Sequence, residues 1–282
     1  FGLIARHRIP YVVTLHVSLA SKQHILDRFW RFFFARFRKW MPGAAAVNCI
    51  SDFVRSQLAE RITLPSEQIH RIYAGINEHV FKPDAPSQPD RPAAPGSGRM
   101  IELLFVGQIM PEKGVDHLVR AVIEVSHRRS DIALTIVGRG PLERRLRALS
   151  RGCDNIRWAG FLAGQKAIAG YYAASDATVL PTKWDEAFSL VPIESFGCGT
   201  PVIATARGGT LEQVRDGETG YLLRDGSVEE LVDVLGSLDL ESLRAMRTAC
   251  RELVLERHTF ERMGQEHEAL YREVLSQSPL RG

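Results

Sequence analysis

The sequence predicts an α/β protein in two parts, each a parallel β-sheet with helices on its faces, and three observations carry that prediction. Short apolar runs alternate with helical stretches along nearly all of the 282 residues, the order that builds a parallel sheet covered on both sides. A proline-rich break, D-A-P-S-Q-P-D-R-P-A-A-P-G-S-G at residues 84–98, interrupts the alternation and reads as a linker. Beyond it, Glu186 and Glu194 bracket E-A-F-S-L-V-P-I-E, which runs into S-F-G-C-G-T-P-V-I-A: a loop carboxylate, a helix start, a second carboxylate, a Gly-x-Gly break and an apolar strand.

Before the break, Tyr11 to Leu15, Ala45 to Ile50 and Ile69 to Tyr73 read as strands, with helices near 22–40 and 51–61. After it, strands recur at Ile101 to Val106, Ala133 to Val137, Ile156 to Trp158, Ala177 to Leu180, Val202 to Ala204 and Tyr221 to Leu223. The expected domains are 1–83, a linker at 84–98, 99–257, and a terminal helix at 258–282 that returns to the first domain. Ligands of such sheets bind at the carboxyl ends of strands. Both glutamates and the glycines after Val106 and Val137 fall there.

Composition narrows the function. With 45% hydrophobic residues the chain can build two cores, and no apolar run is long enough to span a membrane. The opening F-G-L-I-A-R-H-R-I-P has neither an initiating Met nor the zones of a signal peptide, so the expectation is a chain that begins inside something longer. Cys49, Cys198, Cys250 and Cys153 lack C-x-x-C spacing and read as buried thiols of a reducing cytoplasm. A net charge of +3 with no basic stripe gives no reason to expect nucleic acid.

The glutamate block suits a ligand with an anionic middle and hydroxyls at both ends. A helix start around Ser189 to Val191 offers unpaired N–H groups and a positive dipole end to a phosphate, and two ionised carboxylates can each accept from a pair of sugar hydroxyls. A nucleotide-sugar has that shape. The plainer readings are a carboxylate serving only the helix dipole for Glu194, a hydrogen-bonded core histidine for His16, and a turn for Gly208-Gly209.

The ordered set V-G-Q-I-M-P-E-K-G, I-V-G-R-G-P-L, A-G-F-L, Y-Y-A-A-S-D-A-T-V-L-P-T, the glutamate block and G-G-T-L-E-Q-V-R-D-G-E-T-G-Y-L-L resembles the C-terminal domain of retaining family-4 glycosyltransferases, which have the GT-B fold of two Rossmann-like domains. T-L-H at 14–16, I-S-D-F-V-R at 50–55 and Y-A-G-I-N-E-H-V-F at 73–81 resemble the latter part of that family's N-terminal domain, whose opening strands and Gly-rich acceptor-side loop have no counterpart here.

The resemblance implies roles. Lys113 neutralises the donor diphosphate, and Gly107 with Gln108 lets the backbone approach it. Glu186 holds donor-sugar hydroxyls and Glu194 the ribose diol. Phe188, Ser189 and Leu190 offer N–H groups to the phosphates. Gly138, Arg139 and Gly140, with Phe161 and Leu162, border base and ribose, and His16 reaches the sugar from the first domain. Where the family has Gly-Arg this chain has Gly107-Gln108, a loss of about 1 kcal/mol unless Arg139 or Arg207 substitutes. Ser189 stands for the family's Gly and Ala74 for its Asn.

No D-x-D sequence or His/Cys cluster at metal spacing occurs, so metal-independent chemistry is expected, with no cofactor and a UDP-, GDP- or ADP-sugar as donor. The resemblance implies retention by front-face attack on a saccharide or lipid-linked acceptor; nucleophilic attack by Glu186, as in paired-carboxylate hydrolases, is the alternative chemistry. A nucleotide-sugar epimerase and a non-catalytic nucleotide-binding fragment are the alternative functions. The chain alone is expected to bind nucleotide with little transfer.

Residues 27–40, D-R-F-W-R-F-F-F-A-R-F-R-K-W, place Phe29, Trp30, Phe33, Phe34, Phe37 and Trp40 on one helical side and Arg28, Arg31, Arg36, Arg38 and Lys39 on the other. That face fits either the sheet of the first domain or an anionic bilayer. The expected location is the cytoplasm, with a peripheral seat at the inner membrane face under the second reading.

Overall fold

A computed structural model of the chain describes residues 9–19, 41–85 and 100–277. The helix expected near 22–40, with its 27–40 face, and nearly all of the 84–98 break lie outside these residues. The chain forms two compact units, one of Phe1–Gly75, Asp185–Phe188 and Phe260–Gly282, the other of Ile76–Trp184 and Ser189–Thr259. The first boundary between the units thus falls after Gly75, not 83, and the first unit takes Glu186, Ala187 and Phe188 out of the glutamate block.

In the first unit β1 (Val12–Leu15), β2 (Ala46–Cys49) and β3 (Ile69–Arg71) form a parallel sheet in that order. Between β2 and β3, α1 (Asp52–Arg61) starts at Ser51, whose hydroxyl accepts from Val54 N–H at 3.1 Å and donates to Ala187 O at 2.6 Å. This N-cap satisfies an orphan helix donor and ties 185–188 to the same unit. Asn48, fully buried on β2, accepts from Ile72 N–H at 2.9 Å, a donor that also reaches Cys49 O of β2 at 3.2 Å.

In the second unit six strands are all parallel: β4 (Ile101–Val106), β5 (Ile132–Val137), β6 (Ile156–Gly160), β7 (Ala177–Leu180), β8 (Val202–Thr205) and β9 (Gly220–Leu223). Their order is β6-β5-β4-β7-β8-β9. In chain order within the unit that is 3-2-1-4-5-6, the doubly wound arrangement whose direction reverses beside its first strand. The helices between are α2 (Val115–Ser126), α3 (Glu143–Leu149), α4 (Gln165–Ala173), α5 (Leu190–Gly197), α6 (Val228–Ser237), α7 (Leu240–Ala245) and α8 (Arg247–Arg257).

Sequence periodicity explains the packing. Val115, Leu118, Val119, Val122 and Val125 repeat at three- and four-residue steps along α2, are all buried, and join Leu103 and Phe105 of β4 in the main core with Leu231 and Leu235 of α6. Leu104, between those β4 residues, points to the other face and is equally buried. A strand covered on both sides reads as a continuous apolar run, which is why β4, β7 and β8 were visible in the sequence.

On that other face α5 packs against α8. Arg251 of α8 donates to Phe81 O at 2.7 Å, Gly197 O at 2.8 Å and Glu78 O at 3.0 Å. The guanidinium thus satisfies the last carbonyl of α5, Gly197 O, and carries positive charge to the negative end of its dipole. Phe81 itself is fully buried, edge-on to Tyr172 with ring centroids 6.2 Å apart. The final helix, α9 (Phe260–Gln277), belongs to the first unit, where Leu270 and Val274 pack on Ala46 and Ile72.

Candidate functional site

The carboxyl ends of β4, β5 and β6 open into a cleft of about 900 Å³ in the second unit. Beside the strand ends Val106 and Val137, seven of the expected residues line it: Gly107 and Gln108 after β4, Gly138, Arg139 and Gly140 after β5, Phe161 and Leu162 after β6. Two parallel loops approach so closely that a Cβ on Gly138, whose φ is 142°, would lie 1.9 Å from Gly107 O. Only glycine fits there. Arg139 lays its guanidinium 4.5 Å above the ring of Phe161, a cation–π contact that makes a flat, charged wall at the cleft mouth. Met110, Pro141, Glu143 and Ile168 complete the lining; the sequence offered no distinguishing signal for them.

Lys113 lies ahead of the helix that follows β4. It closes a 3₁₀ turn, Pro111–Lys113, and α2 begins two residues later, after Gly114 in the left-handed region with φ 67°. A Cβ on Gly114 would fall 1.8 Å from Pro181 O, so a glycine is what lets this turn lie against the loop after β7. That loop holds the turn in place: Lys183 N–H donates to Glu112 O at 2.8 Å and the Lys183 ammonium pairs with Asp116 at 2.9 Å.

The glutamate block divides between the units. Ser189 is the N-cap of α5 with extended φ and ψ and makes no side-chain cap bond. Its N–H, expected to face phosphate, donates instead to Gln213 Oε1 at 3.4 Å, and Gln213 Nε2 donates to Ser189 O at 2.7 Å. Gln213, buried at the end of the 3₁₀ helix Gly208–Glu212, thereby fixes the entry to α5. The N–H groups of Leu190 and Val191 remain in the first turn, where a helix has no internal acceptor for them. Glu186 and Phe188 belong to the first unit. Glu186 is buried, and Phe188 stacks on Tyr73 at 5.7 Å. His16, also of that unit, follows β1 and is exposed, which removes the core-histidine reading.

Glu194 sits in α5 and accepts from Tyr172 of α4 at 3.0 Å. The sequence reading took this carboxylate as ionised. Burial instead pushes it from 4.5 up to about 7, against the downward pull of the Tyr172 hydrogen bond. Near neutral pH it is therefore poised between its two forms. The sequence reading missed Tyr172 and Gln213; each is linked to the block only through a contact more than twenty residues distant.

Past the end of β8, Thr205 Oγ1, Arg207 Nε and Thr210 Oγ1 are buried without a hydrogen-bond partner among the described residues. Buried polar atoms ordinarily find partners. No group of three or more His, Cys, Asp or Glu among the described residues is placed to hold a metal ion, and none of their helices is long and apolar enough to cross a membrane.

This arrangement has known counterparts. The α-D-kanosaminyltransferase of Streptomyces kanamyceticus is 28% identical over 279 residues, covering 94% of this chain and 71% of that protein. A GDP-mannose-dependent α-(1-6)-phosphatidylinositol monomannoside mannosyltransferase of Mycobacterium tuberculosis is 28% identical over 228 residues, covering 77% of this chain and 59% of its own length. The chain thus spans little more than half of that relative. The solved sucrose-phosphate synthase of Thermosynechococcus elongatus superposes with a TM-score of 0.81 at 26% identity, over 98% of this chain and 71% of that one. The family model for Glycosyltransferase Family 4 matches residues 1–80, and that for Glycosyl transferases group 1 matches residues 89–252, which contain the whole six-stranded sheet and its cleft. The chain belongs to the glycosyl transferases group 1 family and has a fold of the GT-B type.

Proposed function

We propose that the protein transfers a sugar from a nucleoside-diphosphate donor to a saccharide or lipid-linked acceptor, with retention of configuration and without a metal ion. The observation that carries the reading is the cleft at the carboxyl ends of β4, β5 and β6, where the loops carrying Gly107 and Gly138 approach so closely that only glycine fits at 138. The names of the relatives, one GDP-mannose-dependent and one moving an amino sugar, agree with it.

In this reading the base and ribose occupy the space between Gly138–Gly140 and Phe161–Leu162, and Glu194 accepts from the ribose diol. The diphosphate lies near Gly107, Lys113 and the first turn of α5, where fixed positive charge offsets the charge that grows on the leaving group. The cation absent at Gln108 is replaced by Arg207, whose buried Nε has no hydrogen-bond partner among the described residues, while Arg139 is engaged with Phe161. Glu186 and His16 hold the donor sugar. The acceptor oxygen attacks the anomeric carbon on the face from which the diphosphate departs; the carbon–oxygen bond to phosphate breaks, and the departing oxygen takes the acceptor's proton. Contact of segment 27–40 with an anionic bilayer suits a lipid-linked acceptor.

Calorimetric titration with UDP, GDP and ADP tests the donor site. One of the three should bind and, at a hundredfold excess over its dissociation constant, stabilise the fold by about 2.7 kcal/mol. Failure of all three to bind overturns the reading.

A further inference from the structure

We propose that Tyr172 is a positioning residue for nucleotide binding, its hydroxyl holding one oxygen of Glu194 so that the lone pairs of the other are left for the ribose diol. The proposal rests on the assignment of Glu194 to ribose made above. Tyr172 is fully buried in α4 and its hydroxyl meets Glu194 Oε2 at 3.0 Å. Tyr172 is held in place by its surroundings. The Tyr172 ring is edge-on to Phe81, Thr200 Oγ1 donates to its carbonyl at 2.7 Å, and Arg247 donates to Ser175 O at 3.2 Å just past the end of α4.

A buried tyrosine hydroxyl needs a partner, and mere satisfaction of that need would explain the contact structurally. The electrostatics distinguish the two roles. Burial keeps Tyr172 protonated, so it can only donate to the carboxylate or share a proton with it. That donation favours the ionised form of Glu194, which burial opposes. Besides Tyr172, the titratable group facing Glu194 is Cys198 in the next turn of α5; Arg251 and Arg247 of α8 face Cys198. An ionised carboxylate can accept both ribose hydroxyls, whereas a protonated one has lost part of that capacity. Tyr172 therefore governs the pH at which Glu194 stops serving the nucleotide.

The test is calorimetric affinity for UDP and GDP from pH 5.5 to 9, in the wild type, Tyr172→Phe, Glu194→Gln, Glu194→Ala and the double variant Tyr172→Phe/Glu194→Gln. Titration of the ligand's own phosphate is common to all five proteins. Wild-type affinity should decline as pH falls through about 7. In Tyr172→Phe the decline should begin about one pH unit higher, the scale of one hydrogen bond to a charged group, with affinity roughly fivefold weaker at pH 7 and nearly restored at pH 9. Glu194→Gln should lose this decline, and adding Tyr172→Phe to it should cost nothing more.

A Tyr172→Phe loss equal at every pH, or no loss, overturns the proposal. So does a double variant weaker than Glu194→Gln by the full Tyr172→Phe factor. If Tyr172→Phe does not fold, the wild-type profile still decides, because wild-type affinity that matches Glu194→Gln in shape from pH 6 to 9 overturns it. Unchanged affinity in Glu194→Ala removes the ribose assignment itself and the Tyr172 proposal with it; loss in Glu194→Ala without a Tyr172→Phe shift removes only the latter.

Discussion

Glu194→Gln preserves the shape of the side chain and its capacity to accept from Tyr172 while removing the charge. In the fold, burial moves this carboxyl from 4.5 to about 7. Between those values the folded protein holds a proton that the unfolded chain has released, so stability declines as pH rises through the window and is fully regained below it. At about 1.36 kcal/mol per pKa unit, the ionised side chain costs the ligand-free fold on the order of 3 kcal/mol above pH 7. At pH 5 the unfolded carboxyl is already largely ionised, and part of that difference is spent. Urea unfolding of wild type and Glu194→Gln at pH 5 and pH 8 isolates the effect, since the other titrating groups are shared. The stability of the variant relative to wild type should be about 2 kcal/mol greater at pH 8 than at pH 5, even as the variant binds nucleoside diphosphate more weakly. An equal difference at both pH values, or a greater one at pH 5, refutes the account of Glu194 as a charge held in the helix at the expense of the fold.

Lys113→Ala should lower turnover about 10²- to 10³-fold, and EDTA should leave wild-type turnover unchanged; an enzyme stopped by EDTA contradicts the metal-independent reading. Glu186→Ala should leave nucleoside diphosphate affinity intact and injure sugar-dependent steps, so equal calorimetric losses for nucleoside diphosphate and nucleotide-sugar would remove its sugar role. Gly138→Ala places a Cβ 1.9 Å from Gly107 O, and should destabilise the protein by more than about 2 kcal/mol and abolish tight nucleotide binding; a normal melting temperature would show that the two loops part easily. Cys49, Cys198 and Cys250 are buried, with thiols pushed to about 12 by that burial, so native Ellman titration at pH 7.5 should label Cys153 alone within minutes.

All nine expected strands are present, because each is a run of β-branched or apolar residues bounded by glycine, proline or a helix cap, and such runs mark themselves locally. What the sequence concealed lies at the ends and across distance. β3 ends at Arg71, where the next N–H is shared between the Asn48 side chain and the Cys49 carbonyl of β2, a competition that a run of apolar letters does not reveal. Asp185–Phe188 join the other unit although nothing in E-A-F-S-L breaks the pattern there. The cleft glycines were legible because close backbone approach admits little else, whereas Tyr172 and Gln213 acquire their roles from partners in other elements. The protonation poise of Glu194 was hidden for the same reason: a letter E carries a reference acidity, and tertiary burial sets the actual one.

The three carbonyls gathered by Arg251 bear on where this chain can be cut. Two of them, Glu78 O and Phe81 O, come from the segment that precedes the proline-rich stretch, and Phe81 fills the space beside Tyr172. Expression of the chain from residue 99 onward would strip a half-buried guanidinium of two acceptors and leave a void the volume of a phenyl ring beside Tyr172, the partner of the proposed ribose carboxylate, a loss on the order of 3–5 kcal/mol from the aromatic alone. The second compact unit begins at Ile76, so the visible break in composition at 84–98 lies downstream of that unit's first residue.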